Sequence, residues 1–582
     1  MCGIVIGSGQ DWTEKRTKKY LELIKHRGPD NTGFYNNLNV YIGHVRLSII
    51  DTNEASNQPF FFENYVVSYN GEMFNYIEER EILREKGYAF DTESDTEVII
   101  KMFKEYGLNF INRVNGMFVI SIYDTESKKI FIWRDRFGIK PFYYSLYDDS
   151  FVGCSEIKPI LLDKNFNIKW NKHILASFIR ENIINYSDET FYEGIMQLEP
   201  GSFIEYNALK NKIKTEKYYT LKRKQKTNFN EIKSLLSDSV KLRMRSDVGY
   251  SSALSGGVDS TLITRLMQEN NNGKGIDVFS MLRDSADDFD TEYSLKYKNI
   301  FTNNQYTRVT PNKDRLLSIL DEVFYYQEEP FQGPSMVLQF LMYRLMKEAG
   351  IKVVLEGQGG DEVFIGYERY LFSDNLVKFF LKGGIKRISN QTRLSKSISA
   401  FYWFYFRYPI IRKLKNIRTF GLKTNHLLKR YINSNYLKDS CSDLKKGELR
   451  INEITKFQLR RLLNYGDKSS MANSVEVRLP FLDYRVIEGA LSIDHDALIK
   501  DYWSKYLLRE FLDDFGLKDF AWRKNKNGFD TSDDSWEIVK FYPKASSVED
   551  FFKINIEKIK DRRLVWNLVN IRALEKIYDI SI

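Results

Sequence analysis

Hydrophobic positions change their spacing along the chain, and the change marks two regions. Residues 2–160 alternate short β-rich runs with turns. Cys2-Gly3-Ile4-Val5 starts the first run without a charge. Val66-Val67-Ser68-Tyr69 reads as a strand ending in a turn at Asn70-Gly71-Glu72. Met117 to Tyr123 and Lys129 to Trp133 read as a hairpin about Asp124-Thr125. Glu78 to Lys86 and Asp95 to Tyr106 have helical spacing, the second opening on acids that suit a helix N-terminus. The pattern predicts an α+β layered domain.

A polar stretch rich in Lys and Thr, Thr215 to Asn230, reads as a linker. Beyond it, Glu231 to Arg245 is spaced as an amphipathic helix, Gly249 to Leu254 as a strand, Ser255 to Ser260 as a Gly-rich turn and Thr261 to Glu269 as a helix. Asp277 to Leu282 and Ile351 to Leu355 are further strands. Strand–turn–helix alternation predicts a doubly wound parallel sheet, an α/β unit whose ligands sit at the carboxyl ends of its strands. The C-terminal third reads as mostly helical.

Composition narrows the class. The 582 residues are 43% hydrophobic and 28% charged, as in globular proteins. No run approaches the roughly 20 apolar residues of a membrane span, and no basic-then-apolar leader opens the chain. Three cysteines (Cys2, Cys154, Cys441) rule out a disulfide framework and suit a cytoplasmic location. The net charge of +9 is local, because 375–430 holds 14 Lys or Arg and no acid. Within that segment lies the aromatic run 398–411. It reads as a helical insertion packed on its domain, with an interfacial helix touching a membrane surface as the alternative. A nucleic-acid role for the whole protein is not implied.

Candidate chemistry sits at two places. Cys2 becomes N-terminal if the initiator methionine is removed, and its own α-amine could then serve as base for the thiol. On position alone, a small hydrophobe entering a strand is as good a reading. Ser255-Gly256-Gly257-Val258-Asp259-Ser260 joins a strand to a helix, so backbone N–H groups can face phosphate oxygens. It lacks the Gly-Lys-Ser/Thr of a Walker loop. Asp259 and a second strand-end acid, Asp361, could share Mg2+.

The Ser255–Ser260 loop resembles the pyrophosphate loop of ATP pyrophosphatases. Together with Met1-Cys2-Gly3-Ile4 it is similar to the glutamine-hydrolysing asparagine synthetase family. The likeness includes His26-Arg27-Gly28-Pro29-Asp30, Arg46-Leu47-Ser48-Ile49-Ile50-Asp51, Asn70-Gly71-Glu72 and Ser94-Asp95-Thr96-Glu97. It continues through Arg134 to Pro141, Ser470-Met471-Ala472 and Glu476 to Asp483.

The resemblance implies a four-layer αββα Ntn-hydrolase sandwich over 2–214 and an ATP-pyrophosphatase domain over 231–540. A linker at 215–230, an insertion at 375–430 and a helical extension at 541–582 complete it. It implies that Cys2 attacks the glutamine carboxamide, with Asn70 and Gly71 as the oxyanion hole. Arg46, Ile49, Glu72 and Asp95 would bind glutamine. Leu254, Ser255, Gly256, Gly257, Asp259, Ser260, Met281, Glu356 and Gly357 would bind ATP, and Asp259 and Asp361 Mg2+. Lys505 would neutralise departing pyrophosphate. Arg27 would lie near the exit towards the second site, and Met117 would line an apolar passage for ammonia. The partners implied are small molecules: glutamine, ATP and a carboxylate acceptor. A homodimer is compatible with this reading.

Two departures concern the acceptor. Related synthetases carry an acid where this chain has Gln358, an amide that takes no proton usefully. The acceptor stretch, Glu328 to Ser335, lacks the Thr/Arg-rich pattern expected for free aspartate. Aspartate amidation, amidation of another carboxylate such as a uronic-acid sugar or a peptide, and a non-catalytic paralogue are the readings carried forward.

Overall fold

The structure, a computed structural model, describes residues 2–147, 149–223, 227–271, 275–281, 296–297, 305–309, 313–367, 430–431, 448–500, 503–523, 539, 541–559 and 561–582. Nearly all of the basic segment 375–430, and Cys441, lie outside the described residues.

Two six-stranded sheets form the first region. One runs in the order Met196–Gln197, Tyr143–Tyr147, Ser150–Cys154, Cys2–Ser8, Val40–Arg46, Asn31–Asn37, with antiparallel neighbours throughout. The other runs Lys212–Lys217, Ser202–Asn207, Lys129–Arg134, Gly116–Asp124, Tyr65–Met73, Phe60–Phe62, again antiparallel. Alternate residues of a strand face opposite sides. Ile4 and Ile6 of the first sheet therefore meet Val66, Val119 and Ile132 of the second in one buried layer. The helix Asp95–Tyr106 covers the outer face of the second sheet through Val98, Ile99 and Met102. Tyr20 and Leu21 of the helix Glu14–Leu23 cover the first sheet over Val5 and Val45. The result is an αββα stack.

Two expectations change here. Asn70-Gly71-Glu72 is not a turn: the strand Tyr65–Met73 continues through it and pairs Asn70, Gly71 and Glu72 with Val119, Phe118 and Met117. The Asn-Gly turn preference yields to the pairing, with Gly71 at φ +154°. A Cβ there would stand 2.0 Å from the Met117 carbonyl oxygen, so this strand position needs glycine. Secondly, Thr215 to Lys217, expected in the linker, belong to the strand Lys212–Lys217.

The second region holds a five-stranded parallel sheet in the order Gln305–Val309, Asp277–Met281, Tyr250–Ala253, Val353–Leu355, Glu476–Arg478. Its central strands are buried on both faces, as a sheet sandwiched by helices requires. The helix Arg562–Tyr578 packs against Leu320–Gln327 and against Lys172–Glu181 of the first region, so one apolar core spans both. Trp566 Nε1 donates to the Phe331 carbonyl at 2.7 Å, and Asn567 Nδ2 to the Phe178 carbonyl at 3.2 Å. A second shared core places Leu47, Ile49, Met117 and Ile139 with Leu254, Leu355 and Val477.

Candidate active sites

The first site lies between the two antiparallel sheets. Cys2 shares the strand face of Ile4 and Ile6, and Asn70 lies on the neighbouring sheet with Val66 on its face. The Cys2 nitrogen donates to Asn70 Oδ1 at 3.1 Å. That bond fixes the amide orientation and leaves Asn70 Nδ2 buried with no hydrogen-bond partner among the described residues. An unpaired buried donor costs about 1–3 kcal/mol, and here it belongs to the side chain that accepts the Cys2 N–H. Burial pushes the Cys2 thiol up; the Leu47 N–H and the Arg46 guanidinium pull it back.

Arg46 is the register partner of Cys2. Its Nη1 donates to the Asn53 carbonyl and to Asn57 Oδ1, both at 2.9 Å, and its Nη2 to the Ile50 carbonyl at 3.2 Å and that of Asp51. The loop after Ile49 is thus wrapped on the guanidinium. Asp95 opens its helix and accepts from Tyr69 Oη at 3.1 Å and the Met73 N–H at 3.0 Å. Glu72 shares the inner face with Asn70. Burial, then the neighbouring Glu476, hold its carboxyl well above the usual range, while Arg478 pulls it down. His44 does not pair with the thiol: its Nε2 meets the Tyr69 carbonyl at 3.0 Å.

The second site gathers at the carboxyl end of the parallel sheet. Gly256 takes φ +72°, and Ser260 Oγ accepts from the Ser255 N–H at 3.2 Å, closing the loop ahead of the helix Val258–Asn270. Leu254, one residue before the loop, donates its N–H to the Phe279 carbonyl at 2.8 Å, and Met281 ends the adjacent strand. The acidic turn after Val353–Leu355 packs directly on this loop. A Cβ at Gly357 would meet Ser260 N at 2.8 Å, and one at Gly360 would meet Asp259 Cγ at 2.8 Å.

Asp259 and Asp361 face each other across Lys505, whose Nζ pairs with Asp259 Oδ2 and lies 2.6 Å from Asp361 Oδ1. Lys505 adopts φ +56° at the start of Tyr506–Asp514. Asp259 Oδ1 has no hydrogen-bond partner among the described residues. Hard carboxylate oxygens from two segments, converging on one cation with an oxygen to spare, fit Mg2+ chemically.

Between the two sites lies a recess, lined from one side by Ile139 and Lys140 and from the other by Glu356, Gln358, Leu463, Asp467 and Val477. Arg27 ties its wall to the first site: Nε donates to the Cys2 carbonyl at 3.1 Å, and Nη1 lies 2.9 Å from Asp467 Oδ2. Met117 packs in the apolar core shared by the two regions. Sequence reasoning missed that the charges of the acceptor stretch are buried and paired. Glu328 and Glu329, in the acceptor stretch, are engaged by Lys468 at 3.2 and 3.3 Å, and Glu328 also by Lys158 at 3.2 Å. Their side chains are 0% and 3% exposed, so neither acid is open to an acceptor.

Residues 231–559 match the asparagine synthase family, and residues 1–219 match a glutamine amidotransferase domain. The chain belongs to the asparagine synthase family. It is 28% identical over 534 residues to glutamine-hydrolysing asparagine synthetase 1 of Bacillus subtilis (strain 168), covering 85% of this chain and 81% of the relative. A putative glutamine-hydrolysing asparagine synthetase 2 of Methanocaldococcus jannaschii is 32% identical over 66% of this chain and 80% of its own length. The amidase chry2 of Gibberella zeae is 25% identical over 93% and 88%. Family membership makes this chain a glutamine-dependent ligase of the asparagine synthase type, from a family that uses ATP.

Proposed function

We propose that this asparagine synthase family member hydrolyses glutamine at Cys2, activates a carboxylate as an acyl-adenylate at Ser255–Ser260, and joins the two products as an amide. Aspartate is the first candidate acceptor. The observation that carries the reading is the pairing of the Cys2 nitrogen with Asn70 Oδ1, which leaves Asn70 Nδ2 buried and unpaired among the described residues. With methionine removed, that nitrogen is an amine able to receive the thiol proton. The thiolate adds to the glutamine carboxamide, and Asn70 Nδ2 with the Gly71 N–H meets the developing oxyanion. Ammonia leaves a thioester that water then hydrolyses.

Arg46 would hold the glutamine carboxylate, while Glu72 and Asp95 would hold its ammonium, with Ile49 beside them. At the second site Ser255, Gly256, Gly257 and Ser260 would hold the phosphates, and Leu254, Met281, Gly357 and the backbone of Glu356 the adenosine side. Asp259 and Asp361 would hold Mg2+, which would neutralise phosphate charge there. For pyrophosphate to leave, Lys505 would move from the two acids to the departing anion. The recess at Ile139 and Val477 supports passage of ammonia across the interface.

A second acceptor remains a specific alternative, because Gln358 lines the recess and Glu328 and Glu329 are engaged by lysines. ATP–pyrophosphate exchange over aspartate, a uronic-acid sugar and a carboxyl-bearing peptide tests both. Exchange with aspartate supports the first reading; exchange only with another acid replaces it. Absence of exchange with every acid, joined to absence of glutaminase activity, would favour the non-catalytic reading.

A further inference from the structure

Glu356 is placed by sequence among nucleotide contacts, yet its side chain lines the recess that opens towards the first domain. Its backbone is anchored, donating to the Arg478 carbonyl at 3.1 Å. The following residue, Gly357, rests against Asp259 and Ser260 of the phosphate loop. Glu356 thus joins the ammonia side of the interface to the nucleotide side.

The surroundings of its carboxylate are particular. Tyr343 Oη donates to Glu356 Oε1 at 2.8 Å, and Gln339 Nε2 donates to that same hydroxyl at 3.0 Å. Gln339 and Tyr343 stand one turn apart on the helix Ser335–Glu348, so the pair forms a fixed relay ending on the carboxylate. Tyr343 has one proton to give, and giving it to Glu356 fixes the latter as acceptor. Asp467, the other acid lining the recess, has Arg27 at 2.9 Å and Lys140 at 3.7 Å. Glu356 has no ion pair among the described residues. Burial pushes its carboxyl up to about 7, against the pull of the Tyr343 hydrogen bond. Such an acid exchanges a proton near neutrality. Gln358, two residues on and in the same recess, cannot.

We propose that Glu356 is the base that receives the proton released when ammonia attacks the acyl-adenylate, with Tyr343 as the residue that positions its carboxylate. The inference rests on the amide-forming reading above. The nitrogen lone pair forms the C–N bond to the acyl carbon. The bond from that carbon to the adenylate oxygen breaks, and its electron pair leaves with AMP. One N–H proton passes to Glu356, so acyl-adenylate and ammonia become amide, AMP and one proton held by the enzyme. Without a base, the initial adduct keeps its positive nitrogen and expels ammonia again.

The test compares two nucleophiles on the full chain, with aspartate, ATP and Mg2+: ammonium, which gives the amide, and hydroxylamine, which gives the hydroxamate. Hydroxylamine is the weaker base, so its adduct loses a proton readily to water. For Glu356→Gln the amide-to-hydroxamate ratio is expected to fall by about 10²–10⁴-fold. Glu356→Asp should recover part of it, and Tyr343→Phe should lower the ratio less than Glu356→Gln does. An unchanged ratio in Glu356→Gln overturns the proposal. So does parallel loss of both products, which would assign Glu356 to adenylation or folding. Wild-type protein that makes neither product from aspartate contradicts the aspartate reading alone; the same comparison then uses the carboxylate that supports pyrophosphate exchange.

Discussion

Arg478, on the last strand of the parallel sheet, reaches across the interface to Glu72 of the antiparallel domain, Nη2 to Oε2 at 3.4 Å. The same guanidinium holds Glu476 at 2.5 Å and donates to the Arg243 carbonyl at 2.9 Å. Its carbonyl accepts the Glu356 N–H, beside the phosphate loop. One residue therefore touches the acid expected to hold the glutamine ammonium and the turn expected to hold ATP. Arg478→Met leaves Glu72 and Glu476 facing each other without their shared cation. Breaking a buried pair from one side costs about 3–5 kcal/mol, so denaturant midpoints should fall accordingly. The glutamine KM should rise, and Arg478→Lys should lose less on both counts.

Cys2→Ala is expected to abolish glutamine-dependent synthesis while ammonium still supports product formation. Product assays with each nitrogen source check this, and loss of both activities would contradict the two-site scheme.

Asn70 gives a sharper test of the first site. Its Nδ2 is the unpaired donor, and removing one oxyanion donor costs about 10²–10³-fold in kcat. Asn70→Ala should reduce glutaminase kcat by that factor. Asn70→Asp keeps the shape but replaces the donor with a negative charge, and should be no better than alanine.

Lys505 occupies the space between Asp259 and Asp361. Lys505→Met removes the competing cation. Calorimetry on the nucleotide-free protein should then show tighter Mg2+ binding, by about tenfold for each 1.4 kcal/mol of competition relieved. Pyrophosphate exchange should fall in the same variant, since the charge on the leaving group is left unneutralised.

Burial pushes His44 down to about 3 from an ordinary 6.5. Between those values the unfolded chain binds a proton that the folded chain refuses, so stability rises with pH across that window. The slope reaches at most about 1.4 kcal/mol per pH unit. Stability from this residue is complete above the ordinary value and is lost as pH falls through the window. In urea titrations His44→Gln should flatten that slope.

Local features of the chain were legible without a structure. The Gly-rich loop at 255–260 announces itself because a tight strand–helix turn favours glycine, and Gly256 takes a left-handed φ of +72° there. The helix Asp95–Tyr106 was legible from its spacing and from the acids that open it, which suit a helix N-terminus. The turn expected at Asn70-Gly71 shows the limit. The dipeptide favours a turn locally, but nine consecutive pairings with Gly116–Asp124 hold it in a strand and turn the Asn70 side chain to Cys2.

The sequence by itself determined the family, because its motifs are short runs of adjacent residues that can be read without knowing what they pack against. Only the tertiary structure decided how they meet. Arg478 with Glu72, Lys468 with Glu328 and Tyr343 with Glu356 are pairs whose partners come from separate elements, and burial rather than spacing gives each its strength. A charge or hydroxyl removed from water must find a partner wherever the packed chain supplies one. That requirement leaves no period in the sequence.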